Sequence, residues 1–439
     1  MSLVSILITI LILSVVILVH EFGHFVLARK NGVFVTEFSI GFGPRLISHV
    51  SKKSGTRFSV KLILFGGSCA MLGALDDEGN ETDDERSFDK KSIWARMSIV
   101  LAGPVFNFFL AFVLAVIYVG TMGYDAATVT EVIEDSPAEE AGLQEGDVIT
   151  RYNGAKINFG REIYLQNYLY PLDEDTDEVE ITYLRDGEKY TISVEPMEYD
   201  YYLLGMSYYS NTDPAELAEV TEDSVLEEAG LEEGDIITAI DGTEIATGED
   251  LEAYFDENPL TGEEVSITYE RDGTSYTVEV TPEAATKYVI GFSYNLQDEK
   301  TGVWGTIRYS VAELRYQVVS VLKSLGYLLS GQGSLDMLSG PVGIVEVVDE
   351  TYDATSSYGA LYTVMSMISL TILINANLGV LNLLPIPGLD GGKFLLLIIE
   401  AIRGKPINKK YEGIATMIGA LLLMILCVVV LINDIMKFF

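Results

Sequence analysis

Leu3-Val4-Ser5-Ile6-Leu7-Ile8-Thr9-Ile10-Leu11-Ile12-Leu13-Ser14-Val15-Val16-Ile17-Leu18-Val19 runs directly into His20-Glu21-Phe22-Gly23-His24. The first part is almost wholly apolar, and a helix of about 20 such residues crosses a hydrocarbon core about 30 Å thick. The second part sets two imidazoles and a carboxylate within that helix, where ionisable groups cost free energy and mark function. A cleavable signal peptide would need a basic leading segment and a small-residue cleavage site. No Lys or Arg precedes the run, and it ends in His-Glu-Phe-Gly-His, so it reads as a retained span.

Residues 97–118, 361–384 and 414–432 form similar blocks, which makes four expected spans. With 439 residues, 49% hydrophobic content and a mean hydropathy of +0.27, the chain is too apolar for an ordinary soluble enzyme and can hold several domains. The formal net charge of −37 is confined to the middle: residues 124–300 hold 45 acidic and 8 basic residues, and the rest of the chain holds 20 of each. A segment this acidic is repelled by anionic lipid and stands in solvent. It also speaks against nucleic-acid binding, which needs basic surface.

Basic residues gather elsewhere. Arg29, Lys30, Arg45, Lys52, Lys53, Arg57 and Lys61 follow the first span, and Lys90, Lys91 and Arg96 precede the second. Lys393, Arg403, Lys405, Lys409 and Lys410 separate the last two. The positive-inside rule makes both loops cytosolic, leaving both termini and the acidic region outside. Cys69 and Cys427 then fall in a cytosolic loop and a span, so no disulfide is expected, and both read as small apolar filler.

The acidic region is a repeat. Ser136-Pro137-Ala138-Glu139-Glu140-Ala141-Gly142-Leu143-Gln144-Glu145-Gly146-Asp147-Val148-Ile149 recurs 88 residues later as Ser224-Val225-Leu226-Glu227-Glu228-Ala229-Gly230-Leu231-Glu232-Glu233-Gly234-Asp235-Ile236-Ile237. Each copy reads as a short helix ending at glycine, a Gly-Asp turn and an alternating strand. Asn153-Gly154 and Asp241-Gly242 are matching tight-turn pairs. The pattern resembles PDZ domains, in the circularly permuted form found in bacterial membrane and periplasmic proteases. That resemblance implies two β-rich (α+β) domains over 124–210 and 211–300. Such a groove can capture an extended peptide as an added strand, or the pair can serve as rigid modules that restrict access; both readings stand. Residues 304–329 read as an amphipathic helix near the outer membrane surface, and Gly340-Pro341-Val342-Gly343-Ile344 as a break before the third span.

In His-Glu-x-x-His, imidazoles at i and i+4 share one helix face and can bind one Zn²⁺, with the glutamate placed to take a proton from water at the metal. The chain has 3 histidines and two are in this motif, a coincidence expected on the order of once in a thousand such sequences. His20 lies about 25 Å along the helix at roughly 1.5 Å per residue, within the membrane toward its cytosolic side. A catalytic zinc takes a third protein ligand. His49 and a carboxylate are both candidates, and Asp390 is attractive because the third span reaches the cytosolic side just before Pro385-Ile386-Pro387-Gly388-Leu389-Asp390-Gly391-Gly392.

The first helix continues as Phe25-Val26-Leu27-Ala28-Arg29, then Phe38-Ser39-Ile40-Gly41-Phe42-Gly43-Pro44; the third carries Asn377-Leu378-Gly379-Val380-Leu381-Asn382-Leu383-Leu384 before the proline segment. Together these resemble the site-2 protease family of intramembrane zinc metalloproteases, in its bacterial regulator-of-sigma-E type with two PDZ domains. The resemblance covers essentially the whole chain. It implies an α-helical membrane protein of four transmembrane helices with a membrane-reentrant β-loop, plus the two PDZ domains. It further implies His20, His24 and Asp390 as zinc ligands, Glu21 as general base, and Asn377 and Asn382 as substrate-binding residues, with Asn382 holding substrate backbone or the developing oxyanion. Phe65-Gly66-Gly67 matches the start of the β-loop, so Gly66 and Gly67 would lie along a substrate strand. Ser68-Cys69-Ala70-Met71-Leu72 departs from the family's usual Tyr-Val-Lys-Met-Leu, which affects side-chain contacts but not backbone pairing. Gly103-Pro104-Val105-Phe106-Asn107 also fits the family.

The expected organisation is 1–28 first span with the motif, 29–95 cytosolic loop with the β-loop, 96–123 second span, the two PDZ domains, 301–360 juxtamembrane amphipathic helix and loop, 361–384 third span, 385–411 Leu-Asp-Gly motif and cytosolic loop, and 412–436 fourth span. The implied activity is regulated intramembrane proteolysis in the bacterial inner membrane. Its implied substrates are single-pass proteins such as anti-sigma factors clipped by a site-1 protease, and remnant signal peptides. A catalytically inactive PDZ scaffold is the main rival, opposed by intact Glu21 and Asp390. A transporter would show two related halves with interrupted helices, and none is visible.

Overall fold

Ser2 caps the first helix, α1 (Leu3–Lys30), by accepting a hydrogen bond from the Ser5 amide, and Arg29 and Lys30 lie in its last turn against the negative end of the helix dipole. In this computed structural model, which describes residues 2–74, 84–210, 212–334 and 338–436, a long hairpin of β1 (Val35–Val50) and β2 (Arg57–Met71) follows, and then α2 (Ile93–Thr121). The hairpin folds back on itself. Residues 35–40 pair with 67–71 on one side and lie beside 57–60 on the other, and 57–60 also pair with 47–50. The 67–71 segment is therefore an edge strand among the described residues, packed beside α1.

The acidic region, 125–296, forms a unit of its own. Its first half carries β3 (Val129–Val132), α3 (Pro137–Glu140), β4 (Val148–Tyr152), β5 (Ala155–Lys156), α4 (Gly160–Leu169), β6 (Val179–Arg185), β7 (Glu188–Val194), β8 (Met197–Leu203) and β9 (Met206–Tyr208). The second half repeats the order as β10 (Leu217–Val220), α5 (Val225–Glu228), β11 (Ile236–Ile240), β12 (Thr243–Glu244), α6 (Gly248–Glu257), β13 (Val265–Arg271), β14 (Thr274–Val280), β15 (Glu283–Val289) and β16 (Phe292–Tyr294). Each half has a four-stranded sheet, ordered β5-β4-β6-β7 and β12-β11-β13-β14.

The halves exchange their last strands. β16 pairs with β3, β9 pairs with β10, and β8 runs antiparallel to β15 across the pseudo-repeat. Ile290 accordingly belongs to the core of the first half, with Phe292 and Tyr294 packed on it, and Leu204 belongs to the core of the second. The same polar fastening recurs in both. Arg185 clamps Asp147 and the Gly142 carbonyl, and Arg271 clamps Asp235 and the Gly230 carbonyl. Each aspartate is 1% exposed, so the paired guanidinium offsets the cost of burying it.

After this unit the chain returns as α7 (Val303–Leu329), α8 (Pro341–Ser356), α9 (Ala360–Leu383), α10 (Asp390–Arg403) and α11 (Lys409–Met436). Four helices are long and apolar enough to cross a membrane: residues 3–30, 93–121, 360–383 and 410–436. They coincide with the four expected spans. One face of α7 packs on the spans: its Leu314 lies with Ala111 and Ala115 of α2 and Ile372 of α9. The Gly340-Pro341 break begins a helix rather than a loop. Proline suits the first helical turn, and buried Asp434 accepts hydrogen bonds from the Gly340 and Gly343 amides at 3.0 and 2.9 Å. The expected cytosolic loop after the third span likewise contains α10, held to α2 by the Glu400–Arg96 ion pair.

Candidate metal centre

His20 and His24 lie one turn apart on α1 and face α2. A side chain at Gly23 would run into the Ala102 carbonyl, so glycine lets the two helices approach closely there. Asp390 arrives on the first residue of α10. The turn before it packs so tightly that side chains at Gly391 and Gly392 would strike the carbonyls of Leu383, Leu384 and Ile386. Glycine at both positions thus seats the carboxylate.

The three side chains converge. Asp390 Oδ2 is 3.0 Å from His20 Nε2 and 3.2 Å from His24 Nε2, and the two Nε2 atoms are 3.2 Å apart. Bonds of about 2.0–2.1 Å to a tetrahedral zinc place neighbouring ligand atoms about 3.3 Å apart. The triangle therefore has the dimensions of one face of such a site. Among the described residues this is the one His/Cys/Asp/Glu group able to hold a metal ion in this way. His49 lies exposed on β1, paired with Phe58, and is not part of it.

Neighbouring groups hold the rings. His24 Nδ1 is 2.8 Å from the Ile99 carbonyl, which can only accept, so that nitrogen carries the proton and Nε2 is free to ligate. His20 Nδ1 is 3.3 Å from the side-chain amide of Asn107, which is fully buried. Gly103 lies between them: a methyl group there would be 2.5 Å from His24 Nε2 and 2.6 Å from His20 Nε2. Asn107 and Gly103 both lie against the rings, a placement the sequence alone does not reveal because both sit on a different helix from the histidines.

Glu21 occupies the same turn and accepts a hydrogen bond from the Cys69 amide of the edge strand. Gly67 lies close by, with its Cβ position 3.7 Å from Glu21 Cγ. Gly66, at φ +87°, has a conformation that favours glycine. Asn377 and Asn382 are partly buried on α9, and their side-chain amides make no hydrogen bond to another described residue. Asn375, two residues before Asn377, is fully buried with neither amide atom bonded.

The sequence model for peptidase family M50 matches residues 8–426. This chain belongs to peptidase family M50. It is 32% identical over 453 residues to the zinc metalloprotease RasP of Bacillus licheniformis, covering 98% of both chains. It is 31% identical over 449 residues to the regulator of sigma-W protease RasP of Bacillus subtilis, again covering 98% of each. The regulator of sigma E protease of Haemophilus influenzae is 31% identical over 451 residues, with 98% of each covered. As an M50 member the chain is a zinc metalloprotease of the site-2 type, and its four apolar helices make it an integral membrane protein.

Proposed function

We propose that this M50 peptidase hydrolyses peptide bonds within the transmembrane segments of single-pass membrane proteins, using His20, His24 and Asp390 as zinc ligands and Glu21 as general base. The observation that carries this is a ligand triangle whose two histidines lie inside an apolar helix, with Glu21 bonded to the edge of a β-strand. A substrate helix has its backbone hydrogen bonds satisfied internally, so it must unwind to present a carbonyl in the membrane. The edge strand 67–71 would take the unwound segment as a further strand, which lays it past Glu21. His20, His24 and Asp390 would hold a zinc ion that would supply Lewis-acid polarisation and lower the pKa of water toward neutral. Glu21 takes the proton from water and delivers it to the leaving amine. Asn382, with an amide that both donates and accepts, would hold the substrate backbone or the developing oxyanion, and Asn377 would support the same segment.

The names of the sigma-W and sigma-E relatives support anti-sigma-factor-like substrates already shortened by a site-1 protease, and remnant signal peptides are a second source of short single spans. The charge distribution supports a bacterial inner-membrane protein with both termini and the 125–296 unit outside and the ligand triangle toward the cytosolic side. We read the two repeats as PDZ domains that select substrates. A groove of about 360 Å³ beside β9, lined by Met206, Tyr208, Phe255 and Leu260, supports peptide capture.

The test is cleavage of a purified single-span substrate, with the cut mapped by mass spectrometry. The wild-type protein should cut within the span, faster when a helix-weakening residue is introduced. Glu21→Gln should retain zinc and cut nothing. Cleavage confined to residues outside the span, or normal turnover by Glu21→Gln, refutes the assignment.

A further inference from the structure

The two histidines are supported differently. For both Nε2 atoms to offer lone pairs to one ion, each ring must carry its proton on Nδ1. His24 is held in that form by the Ile99 carbonyl, a backbone group that no substitution removes. His20 has a side chain instead. Asn107 Nδ2 is 3.3 Å from His20 Nδ1, and Asn107 Oδ1 is buried without a hydrogen-bond partner.

With Nδ2 facing the ring, the amide donates to Nδ1, so the His20 proton lies on Nε2 and points at Asp390 Oδ2, 3.0 Å away. In that arrangement both ring nitrogens of His20 have a hydrogen-bond partner. An amide has nearly the same shape after a half-turn. Turned, it brings Oδ1 to Nδ1, accepts the Nδ1 proton, and leaves the Nε2 lone pair open. We propose that Asn107 is the positioning residue that selects the His20 tautomer, donating to the ring when the site is empty and accepting from it when His20 ligates. Only a side chain that both donates and accepts can serve both forms. This rests on His20 being a zinc ligand, and that premise has its own test: His20→Ala must lose the metal.

Two replacements of nearly the same shape separate positioning from packing. Asn107→Leu fills the space with neither donor nor acceptor. Asn107→Asp keeps an acceptor at the ring and holds His20 in the ligating form. The measurement is metal affinity of the full-length protein in detergent, by chelator competition with Zn²⁺ and by the visible spectrum of the Co²⁺-loaded protein. Thermal stability is measured on the metal-free form.

Removing a hydrogen-bond partner of a metal-ligating histidine costs about 10–100-fold in affinity. Asn107→Leu should therefore bind Zn²⁺ at least tenfold more weakly, with metal-free stability equal to or above wild type, and with a changed Co²⁺ spectrum. Asn107→Asp should bind within about threefold of wild type or more tightly. A packing role predicts the reverse order, since leucine suits a membrane interior and aspartate does not. Wild-type affinity in Asn107→Leu overturns the proposal. So does a folded Asn107→Asp that binds as weakly as the leucine variant. If the aspartate variant fails to fold, the leucine variant decides alone. Loss of metal in His20→Ala together with full retention in Asn107→Leu would refute this inference and leave the ligand assignment standing.

Discussion

Replacing Gly103 by alanine adds one methyl group where the structure has least room for it. That carbon would lie 2.5 Å from His24 Nε2, and 2.6 and 2.7 Å from His20 Nε2 and Cε1. Ordinary contact begins at 3.4 Å, so the rings or α2 must retreat by the difference between 3.4 and 2.5 Å, about 0.9 Å. Metal sites hold their bond lengths to within about 0.2 Å, so the demanded shift is more than about four times the tolerance. The loss should be at least that of a damaged supporting hydrogen bond, about 10–100-fold in zinc affinity, or about 1.4–2.7 kcal/mol. Gly120 on the same helix is the control, because its Cβ position is 3.6 Å from Thr306 Cγ2, an ordinary contact. The assay is zinc content by elemental analysis of protein purified without added metal, followed by chelator titration. Gly103→Ala should emerge largely metal-free and inactive, and Gly120→Ala fully loaded. One zinc per chain at wild-type affinity in Gly103→Ala would show that the rings do not sit where the geometry puts them.

Gly66→Ala imposes a side chain at φ +87°, with Phe42 Cε2 2.5 Å from the new carbon; the strain is about 1–2 kcal/mol, and cleavage should fall several-fold with zinc content unchanged, as turnover and metal analysis together will show. Arg271→Ala leaves the Asp235 carboxylate, 1% exposed, with its Glu232 amide contact but no cation; the 125–296 unit should unfold at a lower denaturant concentration in titration. The Arg45 guanidinium beside Glu37, helped by the Ser59 hydroxyl and Lys61 and opposed by partial burial, holds the Glu37 carboxyl down to about 2. A depressed carboxyl contributes stability above its ordinary value of 4.5 and loses it as pH falls toward 2. Limited proteolysis of the hairpin should therefore quicken across that window, and Glu37→Gln should abolish the pH step.

The apolar runs and the His-Glu-x-x-His spacing were legible because each is a local pattern: helix length and the i, i+4 face follow from neighbouring residues alone. The repeat was legible as a period. What the period could not reveal is which strand completes which sheet, because β3 finds β16 some 160 residues onward, through tertiary packing rather than through proximity in the chain. Asp390 and His49 stood as rival ligands on sequence physics; the fold brings Asp390 Oδ2 to 3.0 Å from His20 Nε2 and 3.2 Å from His24 Nε2 and leaves His49 exposed on β1. Gly340-Pro341 and Asp390-Gly391-Gly392 carry turn residues, yet each opens a helix, since proline is tolerated at a first turn and an aspartate favours the positive end of the helix dipole. Asn107 was invisible for another reason. Its partner lies 87 residues away on another helix.

The strand exchange in the 125–296 unit changes what counts as a separable part. Cutting the chain between the two copies near residue 210 leaves the front fragment without β16 and the rear fragment without β9, so both expose an unpaired sheet edge of the sort that drives aggregation. Excising one whole period instead, from just before β9 to just before β16, keeps β3 together with its own partner β16 in the one remaining copy. Such a shortened protein is self-complementing, whereas a truncation at the apparent midpoint is not. During synthesis the front copy must likewise wait, open, until the last strand of the rear copy has been made. Nature can lengthen or shorten this region by whole turns of a closed ring, but not by cutting where the repeat seems to end.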